Sequence, residues 1–143
     1  MAVARRDRIS TSKEHTMNLA LWIAAGLLAT VLLVSTSKAF VPREKIASVG
    51  HAAEWVLDFS PGALRAIAAL ELLAAVGLIL PAVLGIAPGL VPVTAVCVAL
   101  LFLGAATMRL RRGERWTIAP DLLYLAMAVF VAWGRFGPEA FPA

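Results

Sequence analysis

Residues 61–84 read PGALRAIAALELLAAVGLILPAVL. Apart from Arg65 and Glu71 the run is apolar or small, and it exceeds the roughly 20 residues that carry a helix across a bilayer. A spanning segment must satisfy its backbone groups internally, so a helix is the structure this run adopts. Pro61 suits the first helical position, where a missing N–H costs nothing. Pro81 is expected to kink or end the last turn. Glu71 stands ten residues beyond Pro61, about 15 Å deep at 1.5 Å per residue and close to the midplane. A carboxylate at a helix centre in hydrocarbon costs about 2.5 kcal/mol or more, so it must pair, take a proton or face a polar cavity.

The rest of the chain repeats the apolar pattern. Its 143 residues are 61% hydrophobic and 15% charged, with a mean hydropathy of +0.85. Soluble domains are nearer half apolar and a quarter charged, so this is a bilayer protein. Three further spans are expected at about 17–37, 89–109 and 117–136, the third opening after the turn at Gly85-Ile86-Ala87-Pro88-Gly89. Between the first and second spans, Ile46, Val49, Ala53 and Val56/Leu57 recur at helical spacing while Arg43, Glu44, Lys45 and Glu54 take other faces. That pattern predicts an amphipathic helix at the membrane interface or over the bundle mouth, with Trp55 near its end. The fold class is therefore all-α: a four-transmembrane-helix bundle with one interfacial helix. Residues 1–16 are polar and without periodicity, and a disordered tail is expected there. Residues 17–137 form the membrane domain and 138–143 a short tail. Met17 is a second candidate start, and Ser37-Lys38-Ala39 could serve as a signal cleavage site. The apolar stretch before it is longer than a signal core, which favours an uncleaved span.

Several function classes drop out. The pI near 10 comes from basic residues at the ends of apolar segments, as membrane flanks have, and no nucleic-acid stripe is present. Cys97 is the lone cysteine, so no internal dithiol relay exists, and it reads as a small core residue. His15 and His51 lie in the tail and the interfacial loop, so no metal or haem ligand set can be assembled inside the bundle. No phosphate loop or Ser/His/Asp arrangement occurs, and no catalytic residue is assigned.

Because successive spans alternate in direction, depths can be compared between them. Lys38, Arg65, Arg109, Asp121, Ser35, Thr107 and Tyr124 all fall within about two turns of the same membrane face. The opposite half, with Leu19, Ile23, Leu78, Leu80, Val91 and Val93, is almost wholly aliphatic. The candidate ligand-binding residues are Glu71, Lys38, Arg65, Arg109, Tyr124 and Ser35. Arg65 is six residues from Glu71 and projects away from it, so the partner of Glu71 must come from another helix. Both a ligand or proton role and an interhelical pair stay open for Glu71. Lys38, Arg65 and Arg109 read first as cations reaching headgroups, Asp121 as a cap on the fourth span, and Arg111, Arg112 and Arg115 as a run facing lipid headgroups. Trp22, Trp116 and Trp133 read as interfacial anchors. Tails and the 85–88 loop carry five basic residues and the opposite side seven. The positive-inside rule therefore leans toward loops 38–60 and 110–116 on the cytoplasmic side.

From about Met17 to Gly137 the chain resembles the DoxX-like family of small four-span membrane proteins. The resemblance is carried by Ser35-Thr36-Ser37-Lys38-Ala39-Phe40, by Pro61-Gly62-Ala63-Leu64-Arg65 through Leu70-Glu71-Leu72-Leu73 with Gly77-Leu78 and Pro81, and by Gly104-Ala105-Ala106 followed by Arg109-Leu110-Arg111-Arg112-Gly113-Glu114. Three positions depart from the pattern. The Ser/Thr run replaces a glycine before Lys38, Ala68 replaces another near Glu71, and Met108 stands where relatives often carry histidine, a departure that bears on any histidine-based proton or metal chemistry. The resemblance implies a bacterial cytoplasmic (inner) membrane protein associated with oxidoreductase complexes, such as a thiosulfate–quinone oxidoreductase or an oxidative-stress assembly. Similar eukaryotic proteins act as assembly or trafficking factors. The leading expectation is a non-catalytic or small-amphiphile-binding subunit of a redox-related assembly. It has no intrinsic cofactor; a quinone or lipid is the candidate ligand, with membrane lipids, an oxidoreductase and a second copy of the chain as candidate partners. The alternatives are a membrane enzyme using Glu71 as acid/base on a lipid-like substrate, and an assembly or trafficking helper whose Glu71 pair is purely structural.

Overall fold

The computed structural model describes residues 2–141. Five α-helices follow one another: α1 (Ala2–Ser35), α2 (Arg43–Ala47), α3 (Pro61–Leu84), α4 (Leu90–Arg111) and α5 (Ala119–Phe136). Short 3₁₀ segments lie at Thr36–Ala39 and His51–Asp58. Helices α1, α3, α4 and α5 are long and apolar enough to cross a membrane. Their main contacts run α1 to α3, α3 to α4, α4 to α5 and α5 back to α1. This is an antiparallel four-helix ring of the up-down-up-down kind.

Each long helix contributes a narrow inner stripe. In α1 it is Leu21, Ala24, Ala25, Leu28, Ala29 and Leu32, stepping by three and four residues so that one face points inward. In α3 it is Leu64, Ala68, Glu71, Ala75 and Leu78. Glu71 is therefore a member of the core stripe, with its face set by helical periodicity. The outer faces remain apolar: Leu73, Leu84, Leu100 and Leu123 are all more than half exposed, as helices surrounded by lipid tails require. Small residues bring the backbones close. A Cβ on Gly134 would lie 2.5 Å from Leu21 Cδ2, and Leu21 is fully buried with nowhere to swing. Gly134→Ala is expected to cost about 1–3 kcal/mol by overpacking, seen as a lower melting temperature in detergent.

The helix ends follow local chemistry. Ser60 caps α3, its Oγ accepting from the Ala63 N–H at 3.1 Å. Pro81 does not end the helix, which runs one more turn and stops at Gly85 in a left-handed conformation (φ 65°), where glycine carries no steric cost. Three expectations need correction. Residues 2–16 are helical and continuous with α1 where a disordered tail was expected: a helix already nucleated by a span extends readily through Arg, Lys, Glu and Ala. The interfacial segment is two short pieces, broken around Gly50 (φ 162°), because neither piece is long enough to hold as an independent helix. Cys97 is exposed on the outer face of α4 and not a core residue.

Candidate functional site

The turn at Thr36–Ala39 brings the end of α1 in against α3. It buries Lys38, which is 8% exposed, opposite Glu71 at 6%. The Lys38 Nζ donates to Glu71 Oε1 at 2.7 Å and to Ser35 Oγ at 2.9 Å. Ser35 Oγ in turn donates to the same Glu71 oxygen at 3.0 Å. The other carboxylate oxygen, Glu71 Oε2, is buried without a hydrogen-bond partner among the described residues. A buried acceptor left unsatisfied costs about 1–3 kcal/mol.

Glu71 also lines a cavity. It measures about 520 Å³ and is lined by Ser35, Lys38, Glu71, Arg109, Asp121 and Tyr124 at its polar end, a volume in the range of small-molecule sites. Val31, Ile67, Leu101 and Met108 form an apolar wall, and Leu100 and Gly104, both exposed, lie where it meets the outer surface of α4. Phe102 and Tyr124 pack with ring centroids 5.1 Å apart. Trp55 and Phe59 of the interfacial segment also line the cavity, with Trp55 5.5 Å from the Lys38 ammonium to its ring centroid, a cation–π distance.

A charged clamp holds this end of the bundle. Arg109 Nε lies 2.6 Å from Asp121 Oδ2, an ion pair that joins the end of α4 to the start of α5. Arg109 Nη1 also donates to Glu114 Oε2 at 3.2 Å. Arg112 donates to Glu114 Oε1 at 2.7 Å and reaches Asp58 at the end of the interfacial segment. Arg43 donates to the Phe59 carbonyl at 2.9 Å, so the Trp55-bearing cap is tied down at both sides. The hydrogen bond from Arg112 is the chief reason the Glu114 carboxyl sits below its ordinary 4.5; Arg112 is correspondingly raised, by Glu114 first and Asp58 second. A depressed carboxyl stabilises the fold fully above 4.5 and loses that contribution as pH falls through its folded value. The clamp should thus hold at neutral pH, and hydrogen exchange of residues 112–118 should accelerate only in acid below 4.5.

Of the six candidates, Glu71, Lys38, Ser35, Arg109 and Tyr124 meet at one cavity. Arg65 does not: it is exposed and borders a separate groove beside Arg43 and Glu44, because it lies off the inner stripe of α3. Asp121 is no cap, since Ile118 occupies that position without a side-chain bond. Arg112 faces Glu114 and Asp58 and is not part of a lipid-facing run. The other, mostly aliphatic half of the bundle holds one buried polar cluster. Arg135, 5% exposed, donates to Asn18 Oδ1 at 2.8 Å and to the Glu139 carbonyl at 3.1 Å and stacks 4.0 Å from the Phe141 ring.

The profile of the DoxX-like family matches residues 23–131, which takes in α3 and α4 whole, most of α5 and the membrane-embedded end of α1. The chain belongs to the DoxX-like family. Comparison with curated proteins and with solved structures gives no match. In this DoxX-like protein the matched region contains Lys38, Glu71, Arg109, Asp121 and Tyr124, so the cavity and its ion pairs lie within the family's shared segment.

Proposed function

We propose that this DoxX-like membrane protein binds the headgroup of a small membrane amphiphile, of the quinone or lipid class, as a non-catalytic subunit of a redox-related assembly in a bacterial inner membrane. The observation that carries the reading is Glu71: one carboxylate oxygen is held by Lys38 and Ser35, the other is buried and bare, and the side chain lines a cavity of about 520 Å³. A purely structural ion pair would gain from satisfying both oxygens, since interhelical hydrogen bonds average only about 0.6 kcal/mol and an unmet buried acceptor costs more than that. The redox context is the one the family resemblance implies, and the cytoplasmic placing of loops 38–60 and 110–116 follows the positive-inside count. The polar end sits behind the Trp55 cap while the apolar end meets lipid, an arrangement suited to a head held inside and a tail left in the bilayer.

Photolabelling tests this reading. A diazirine-bearing long-chain amphiphile, irradiated with the protein in bilayer nanodiscs, should mark Val31, Ile67 and Met108 inside the cavity. Labelling confined to outward residues such as Leu73 and Leu84 would refute it.

A further inference from the structure

We infer that the head held in the Glu71 cavity is uncharged and donates a hydroxyl hydrogen bond to Glu71 Oε2; this rests on the amphiphile-binding reading above and narrows it. Two observations carry the inference. The first is the orphaned oxygen itself. Glu71 is more than nine-tenths buried and Oε2 is an acceptor with nothing donating to it, so the complementary group on an occupant is a donor. An ether, an ester carbonyl or a quinone carbonyl offers only acceptors and would face the carboxylate oxygen lone pair to lone pair.

The second observation is the charge balance. The charged residues lining the cavity are Lys38, Glu71, Arg109 and Asp121, and each already faces an opposite charge: Lys38 with Glu71 at 2.7 Å, and Arg109 with Asp121 at 2.6 Å and with Glu114 at 3.2 Å. An anionic head would bring a second negative charge to Glu71 Oε2 and would have to draw a cation from its partner, at the cost of breaking a buried pair. A cationic head would sit beside the buried Lys38 ammonium. A neutral head disturbs neither pair. Phospholipids and fatty-acid anions are thereby disfavoured, and the class left is a long-chain alcohol or phenol. Among quinones this means the reduced, dihydroxy form over the oxidised one.

Three probes with one tail and different heads test this: farnesol, farnesyl methyl ether and farnesyl phosphate. They are added together at equal concentration to the full-length protein in mild detergent, and their adducts are compared in one native mass spectrum. The expected result is farnesol in excess over both by roughly tenfold or more, the gain expected of a hydrogen bond to a charged acceptor. Glu71→Gln should level alcohol and ether; should that variant fail to fold, the wild-type ratio alone decides. Equal adducts of alcohol and ether, or a preference for the phosphate, overturn the donor inference and leave amphiphile binding standing. Absence of all three adducts overturns the inference together with the reading beneath it.

Discussion

Lys38→Met is expected to lower the melting temperature in detergent by on the order of 10 °C, the largest single stability loss predicted for this chain. Methionine keeps the length and apolar stem of lysine but removes the ammonium that meets Glu71 Oε1 at 2.7 Å. The carboxylate then remains as an uncompensated buried charge or must take up a proton. Removing one partner of a buried pair typically costs about 3–5 kcal/mol, and at this chain length each kcal/mol moves the midpoint by about 2–4 °C. Ser35 also loses the ammonium that donates to it. Replacing both partners behaves differently, because no charge is left to compensate. Lys38→Met/Glu71→Leu should recover most of the lost stability, since an apolar substitute for a buried pair is often neutral or better. A double variant as unstable as the single one would mean that Lys38 acts through packing on Trp55 and not through Glu71.

Gly104→Leu is expected to reduce amphiphile binding by about tenfold or more while leaving the fold as stable as before or more so. Gly104 lines the cavity, and a Cβ added there would meet no side chain and no other helix within 4 Å, so the branch point of the new side chain stands in open space. In the helix interior, replacing glycine gains about 0.5–1 kcal/mol. An occupant forced against the added side chain would lose about 1–3 kcal/mol, the usual range for overpacking. Opposite signs for stability and binding separate this variant from one that merely damages the fold. Thermal melts and native mass spectrometry on the same preparation read both. Undiminished binding would place the occupant elsewhere on the bundle.

Much of this architecture is legible in the sequence. The apolar runs are long and marked off by Pro61, Gly85 and the arginines after Leu110, so the ends of α3, α4 and α5 could be set to within a few residues, whereas α1 starts some fifteen residues before the apolar run that signals it. Glu71 announced itself because a carboxylate in hydrocarbon has few tolerable fates. Its partner was named only as one of several candidates, since choosing Lys38 requires knowing that residues 36–39 turn inward against α3. The clamp of Arg109, Arg112, Glu114, Asp121 and Asp58 was harder to see. Asp58 and Arg112 are 54 residues apart, and charges flanking spans look alike whether they meet each other or lipid headgroups. Arg65 shows the reverse error: its depth matched the site, but its azimuth around α3 did not. The Arg135 cluster was missed because Asn18 and Arg135 come from opposite ends of the chain, although both are polar residues just inside spans and could have been matched by depth.

The most direct measurement is native mass spectrometry of the full-length protein and Glu71→Gln, each drawn from its host membrane in mild detergent and measured side by side. The account predicts a discrete adduct of small-amphiphile mass on the wild type that is absent or strongly reduced in the variant. A wild-type bundle that flies bare, or an adduct that survives the substitution unchanged, would contradict it and make Glu71 a strut between α1 and α3.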